Sequence, residues 1–328
     1  MKQVKYIDSI IGQSQNFHCL DTRDQESIQA IPNPLFKPIF FLTKSELLQL
    51  KRKGFQSNIG QELMKKVINL EKDMNSNKPL LLFDEAPHLV SQAIWQHFRP
   101  NHPIFIYKGG VKKLLNEAKA IFDQPFNFVV LYGKTGVGKS DVLSELKTKG
   151  KQVLNLEQVA NHRGSTFGNL YQLKQTPQES FEIKLAAILS RFNPSHPIFT
   201  EFELPSLGKN IIPLGIMNQM ENSKKVLITL SKAKRINRLV NDYAGVNDRE
   251  LGRGIESLKS RLGKDKSLEI KRDLDKKQYA KVAEGLLEYF DNSISYQSTS
   301  NEDLLYQIEN DAVSETAEKL LNLFKTTD

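Results

Sequence analysis

The sequence predicts an α/β protein of two parallel-sheet domains, the second carrying a phosphate-binding loop and running into a basic helical region. Three observations predict it. Short apolar runs alternate with amphipathic stretches through the first 120 residues, the pattern that builds a parallel sheet flanked by helices. At 129–140, VVLYGKTGVGKS sets an apolar strand directly before Gly133-x-x-x-x-Gly138-Lys139-Ser140, an arrangement whose backbone N–H groups cradle phosphate. Alternation then resumes as far as KKVLITL (224–230), after which basic, helical spacing takes over.

In chain order, FHCLDTR (17–23) and KPLLLFDE (78–85) read as short buried strands, apolar and then polar at their carboxyl ends. Between them, SELLQLKRKGF and SNIGQELMKKVINLEKDM carry helical spacing. HLVSQAIWQHF is helical, and HPIFIYKGG is a strand closing on two glycines. The second domain opens with the strand FNFVVLY (126–132), directly after Gln124-Pro125. A helix is expected from near Ser140 and a strand at QVLNL (152–156). TPQESFEIKLAAILSRF (176–192) carries a capping box, with Thr176 as N-cap, Pro177 at the first helical position and Glu179 three residues beyond Thr176. HPIFTEFE (196–203) and KKVLITL follow as strands, and residues after about Asp291 form an acidic, amphipathic tail that reads as a packing helix. The expected domains are 1–120, 121–290 and a helical tail at 291–328.

A chain of 328 residues, 39% hydrophobic and 26% charged, has the composition of a soluble globular protein with a substantial core. No apolar run approaches the ~20 residues that span a bilayer, and MKQVKYIDSI lacks the apolar stretch of a signal peptide. The cytoplasm is the expected location, with no membrane partner. One cysteine, Cys19, excludes an internal disulfide and a Cys-based zinc cluster, so no structural metal is expected. The net charge of +8 is unevenly placed: residues 224–281 hold 17 Lys and Arg against 8 Asp and Glu. Such a segment attracts polyanions, nucleic acid first, or else forms a solvated helical face.

The loop is the strongest chemical signal. Gly133, Gly136 and Gly138 let the backbone curl around Lys134, Thr135 and Val137, Lys139 adds a positive charge, and Ser140 offers a hydroxyl to Mg²⁺. Hydrolysis of a nucleotide also needs a carboxylate at the end of a neighbouring strand. Glu201 and Glu203, on the same side of an alternating strand, are candidate Mg²⁺ organisers or simply polar residues at a strand end. NHRGSTFGNL (161–170) gathers an imidazole, a guanidinium, two hydroxyls and two glycines. Arg163 is suited to clamp phosphate and His162 to move a proton, and an ordinary surface loop accounts for the same residues.

Leu156-Glu157-Gln158-Val159-Ala160-Asn161-His162-Arg163-Gly164-Ser165-Thr166-Phe167-Gly168, with ESFEIKLAAIL and GRGIESLKSRLG (252–263), resembles the bacterial tRNA 2-selenouridine synthases. The resemblance covers most of residues 5–290 and is loose in the first domain, where CLDTRDQESIQ and IYKGGVKKL are similar to the first strand and the closing Gly-Gly of a rhodanese-like module. It implies a rhodanese-like parallel-sheet domain followed by a P-loop NTPase-like α/β domain with a helical carboxyl-terminal region. The implied activity is a selenotransferase reaction at the tRNA wobble uridine, from 2-thiouridine through a geranylated sulfur to 2-selenouridine. Its implied donors, geranyl diphosphate and selenophosphate, are both phosphorylated and suit a loop that holds without hydrolysing. It also makes Lys232, Lys234, Arg235, Arg238, Lys259 and Arg261 candidate tRNA contacts.

Three departures stand out. The rhodanese cysteine is missing: its position falls near Leu82, and FDEAPH supplies Asp84 and Glu85 instead. A carboxylate there opposes a thiolate. Phe202, Leu204 and Pro205 stand where the family has Asp and Ser-Arg, leaving Glu201 or Glu203 for any Mg²⁺. Asn161 replaces a frequent His. Three expectations remain open: a transferase worked by the P-loop domain, a catalytically impaired paralogue that binds tRNA or a phosphorylated ligand, and a P-loop NTP-binding protein.

Overall fold

The computed structural model describes residues 5–7, 9–70, 78–85, 88–98, 102–162, 175–201, 205–243, 247–292 and 304–325. The chain divides into two compact units, residues 1–124 with 177–191 and residues 125–176 with 192–328.

The first unit contains β1 (Lys5–Ile7), β2 (His18–Asp21), α1 (Gln25–Ala30), β3 (Lys37–Pro38), α2 (Lys44–Lys53), α3 (Asn58–Leu70), β4 (Leu80–Phe83), α4 (Leu89–Phe98), β5 (Ile104–Tyr107) and α5 (Gly110–Phe122). Among the described residues its strands form one parallel sheet in the order β1-β5-β4-β2-β3. All four residues of β4 are buried, as a central parallel strand with helices on its faces requires. Leu20, Leu82 and Ile106 of the sheet meet Leu63 and Val67 of α3 and Ile94 of α4 in one core. Thr43 and Glu46 start α2 with a complete capping box, each side chain bonded to the other's backbone N–H.

The second unit contains β6 (Phe128–Tyr132), α6 (Lys139–Thr148), β7 (Gln152–Leu154) and α7 (Leu156–Ala160). After α8 (Gln178–Leu189) come β8 (Ile198–Glu201), β9 (Ser206–Leu207), β10 (Asn210–Ile211), α9 (Leu214–Glu221), β11 (Lys224–Thr229) and α10 (Lys232–Tyr243). The unit closes with α11 (Asp248–Ser257), α12 (Lys259–Leu262), α13 (Lys264–Asp275), α14 (Tyr279–Asp291), β12 (Leu304–Glu309) and α15 (Val313–Leu323). Its main sheet is parallel, in the order β12-β11-β6-β8-β7. The loop therefore lies at the carboxyl end of the central strand, flanked by the ends of β11 and β8, where open parallel sheets place ligands. Helices α10, α11, α13 and α14 share a separate apolar core built on Leu239, Leu251, Ile255, Ile270 and Leu286.

The structure departs from three sequence expectations. Helix α8 groups with the first unit, not the second: Ser180 Oγ donates to the Pro32 carbonyl at 2.6 Å. Thr176 is not its N-cap. Pro177 holds that position without a side-chain bond, and the Thr176 hydroxyl is turned to the Val159 carbonyl at 3.4 Å. The tail is not purely helical, because residues 304–309 pair in parallel with β11 before α15 begins. The sheet edge that β11 offers decides this, since a parallel partner satisfies its backbone groups and local spacing does not report it.

Candidate phosphate site

The site begins where β6 ends. Gly133, Gly136 and Gly138 all have positive φ, at 148°, 82° and 86°. A Cβ on Gly133 would strike the Ile228 carbonyl oxygen, so glycine is required there by space as well as by φ. Gly138 is the N-cap of α6, which begins at Lys139. Lys139 Nζ donates to the Gly133 carbonyl at 2.8 Å, folding its charge back across the mouth of the loop.

Three residues from distant parts of the chain hold this loop. Asn310, just beyond β12, donates from Nδ2 to the Val137 carbonyl at 2.7 Å. Arg235 of α10 donates from Nε to the Thr135 carbonyl at 2.8 Å. The same guanidinium is paired with both oxygens of Asp291, at the end of α14, at 2.9 and 2.7 Å. Lys134 Nζ lies 3.4 Å from that carboxylate. Burial pushes the Asp291 carboxyl up, but the hydrogen bond and charge of Arg235, with Lys134 beside them, hold it below the usual value.

Glu201 closes the other flank. It ends β8, in register with Leu131 of β6, and only 3% of it is exposed. Burial, reinforced by the nearby Glu157, raises its pKa to about 7, while Lys139 and a hydrogen bond with Ser140 oppose the rise. Its Oε1 is buried without a hydrogen-bond partner among the described residues. An unsatisfied buried carboxylate oxygen beside a serine hydroxyl and a phosphate cradle fits Mg²⁺, which takes one or two carboxylates and completes its shell with phosphate and water. Sequence reasoning missed Glu157 as a charge at this site. The only signal was its place in the first turn after β7, the strand beside β8.

His162 lies just beyond α7, with its N–H donating to the Glu157 carbonyl at 3.0 Å. Its ring is buried against the β9–β10 turn, where a Cβ on Gly208 would come within 2.8 Å of it. Burial lowers its pKa, so the ring is neutral at neutral pH, and its Nδ1 has no partner among the described residues. The expected clamp Arg163 and the second carboxylate Glu203 lie outside the described residues.

The six basic candidates divide sharply. Arg235 is 3% exposed and turned into the loop, so it is not offered to a partner. Lys232 pairs with Glu284 at 2.7 Å, Lys234 with Asp311 at 2.6 Å and Lys259 with Glu256 at 2.7 Å, all on exposed surface. Arg238 pairs with Asp141. Arg261 is exposed and has no ion-pair partner among the described residues. Much of the segment's positive charge is thus matched locally by carboxylates.

In the first unit, Leu82 lies inside β4 with its side chain in the core. The loop after this strand begins at Asp84, which is 3% exposed and accepts hydrogen bonds from the N–H groups of Glu85 at 2.9 Å and Ser91 at 3.1 Å. Burial pushes its pKa up to about 7 against the pull of those bonds. Asp21 and Arg23 form a buried bidentate pair at 3.0 and 2.8 Å. Cys19 is half-buried, and burial raises its thiol to about 12, which keeps it protonated and unreactive. Among the described residues no three His, Cys, Asp or Glu side chains are grouped to hold a metal.

A family model described as the tRNA 2-selenouridine synthase AAA domain matches residues 126–321, more than half the chain. The chain belongs to this family. Proteins similar to this chain include a tRNA 2-selenouridine synthase of Shewanella denitrificans, 26% identical over 243 residues, covering 63% of each chain. Another, from Pseudomonas putida, is 30% identical over 231 residues, covering 60% of this chain and 62% of its own. An uncharacterized protein of Methanocaldococcus jannaschii is 34% identical over 123 residues, 37% of this chain and 54% of that one. The chain therefore matches less than two thirds of the length of these curated relatives. At this identity the family member is a divergent one. No solved structure matches it. The family match covers the phosphate loop, Glu157, Glu201, Arg235 and Asn310, and it begins after the first unit's sheet.

Proposed function

We infer that this protein is a tRNA wobble-uridine modifying transferase, resembling tRNA 2-selenouridine synthase, whose P-loop holds a phosphorylated donor. The observation that carries the reading is the pre-built phosphate cradle, Gly133 to Ser140 with Lys139 across its mouth, in a chain of this family. In the proposed reaction the sulfur of 2-thiouridine takes the geranyl group of geranyl diphosphate, releasing diphosphate. Selenium of selenophosphate then bonds to C2 as the geranylated sulfur departs as geranethiol, and water takes the phosphoryl group from selenium, releasing phosphate. Lys139 and the loop N–H groups neutralise the phosphates, and Ser140 with Glu201 would hold Mg²⁺ beside them. Neutral His162 is suited to accept a proton, and Arg163 to clamp a phosphate oxygen. Arg261 and Lys259 are the proposed tRNA contacts, with Lys232 and Lys234 available once their carboxylate partners are exchanged.

The test is mass spectrometry of digested tRNA from cells with and without the gene, measuring 2-selenouridine and geranylated 2-thiouridine. Loss of either nucleoside with the gene supports the reading. Levels indifferent to the gene would overturn it.

Two observations favour narrower readings. The bond between Ser140 and Glu201 suits a nucleotide bound with Mg²⁺, which makes a P-loop NTP-binding protein the second reading. It predicts Mg²⁺-dependent ATP or GTP turnover that Lys139→Ala abolishes. A carboxylate at Asp84 where a sulfur-carrying loop would need a thiol suits a rhodanese-like module that no longer carries sulfur, and hence an impaired paralogue.

A further inference from the structure

Gly138 has φ of 86° and stands at the N-cap of α6, the point where unpaired helix N–H groups face outward. The space that a Cβ would occupy on Gly138 is not empty. Arg238 Cζ lies 2.7 Å from it, Arg238 Nη2 2.8 Å and Asn310 Nδ2 2.8 Å. Two hydrogen-bond donors, one of them charged, therefore press against the backbone that cradles phosphate. Both come from residues that follow strands on the same side of the loop, β11 and β12.

The two donors are engaged differently. Asn310 is 2% exposed and its Nδ2 is committed to the Val137 carbonyl, so it positions the loop; its Oδ1 is buried without a partner among the described residues. Arg238 is paired with Asp141, in the first turn of α6, one residue beyond Ser140. That pair is open to water, with 26% of the arginine side chain and 59% of the aspartate side chain exposed. An exposed ion pair is weak and readily exchanged. The neighbouring Arg235 is the contrast: with 4% of its side chain exposed, bonded to both oxygens of Asp291 and to the loop backbone, it cannot leave without dismantling the site.

We propose that Arg238 is a phosphate ligand of this loop, held at rest by Asp141 and transferred to the phosphate when it binds. The proposal rests on the reading of the loop as a phosphate holder and adds a second cation to Lys139. A planar guanidinium bonds two phosphate oxygens in a fixed fork, where a lysine ammonium acts as a mobile point charge. Asp141 serves as the resting counter-charge: it keeps Arg238 beside the cradle, and it repels an arriving phosphate that Arg238 does not neutralise.

Calorimetric titration of the full chain with inorganic pyrophosphate tests this, using Lys139→Ala as the control for the loop itself. Arg238→Ala is expected to weaken pyrophosphate binding about ten- to a hundredfold, and Arg238→Lys to restore only part of it. Asp141→Asn is expected to tighten binding about threefold, by freeing the arginine and removing a like charge. Circular dichroism melts identify any variant that has failed to fold, and Arg238→Gln, which keeps most of the stem, then replaces the alanine. If Lys139→Ala loses pyrophosphate while Arg238→Ala and Arg238→Gln bind like the parent, the loop reading stands and this inference is overturned. If the parent chain binds no pyrophosphate, or Lys139→Ala binds it unchanged, the loop reading fails and carries the inference with it. Loss of tRNA affinity in Arg238→Ala with pyrophosphate affinity intact would assign the arginine to nucleic acid and overturn the proposal.

Discussion

Arg235 and Asp291 form a bidentate ion pair that anchors the P-loop, the guanidinium reaching both carboxylate oxygens while its Nε holds the Thr135 carbonyl. Fifty-six residues separate the two, so a helix end in the carboxyl-terminal region fixes the shape of the glycine loop.

Removing one partner of such a pair strands the other. Arg235→Ala is expected to cost about 3 kcal/mol, the lower end for a broken buried pair because Asp291 retains some exposure to water. Urea denaturation reads the loss. Asp291→Asn, which keeps one acceptor, should cost less than Arg235→Ala, and the reverse order would contradict the anchoring role.

Among the described residues, Lys139 donates only within the loop, to the Gly133 carbonyl. Lys139→Ala should therefore leave the unfolding free energy within about 0.5 kcal/mol of the parent and still abolish binding of a phosphorylated ligand. Paired denaturation and titration separate the two effects, and a large loss of stability would mean that the lysine is structural.

Asp84 ties stability to pH. Its folded-state pKa near 7 lies above the ordinary carboxylate value. Between about pH 4 and 7 the folded protein keeps a proton that the unfolded chain has released, so stability falls as pH rises through this window. Asp84→Asn should remove its share of that fall, leaving the share of Glu201, whose pKa is also raised to about 7, and stabilise the chain by on the order of 2 kcal/mol at pH 8, with little effect at pH 4. Denaturation midpoints across this range decide it; equal slopes for parent and variant would sink the assignment.

The proposed tRNA surface predicts a salt signature. Lys259→Gln with Arg261→Gln should lower the slope of log affinity against log salt by about one to two, at roughly 0.7–0.9 for each phosphate no longer neutralised. Filter binding at several salt concentrations measures it. An unchanged slope would remove α12 from the interface.

The sequence made the central features of the second unit visible because they are local. FVVLY, the glycines and Lys139-Ser140 follow one another along the chain, and strand, loop and helix form where the spacing places them. What the sequence concealed is long-range. Nothing near Asn310 announces that its amide will reach Val137, 173 residues earlier. Nothing around Glu157 announces that its charge will act on Glu201, more than forty residues later. Arg235 reads like its basic neighbours, since spacing alone does not tell which cation of a lysine-rich run points inward. In the first unit, apolar strand and polar loop were both legible, since KPLLLFDE turns polar at Asp84, where the strand has ended.

Strand β12 carries a consequence for how the protein is made. During synthesis the amino-terminal part of a chain emerges first and begins to fold while later residues are still being added. The glycine loop leaves the ribosome early, yet Arg235 and Asn310 must follow before its carbonyls at Thr135 and Val137 gain their partners, and Asp291 before Arg235 is held in place. Until about residue 310 has emerged, the nascent chain carries an unfinished cradle, and a product that stops short of β12 would have the sequence of the loop without its shape.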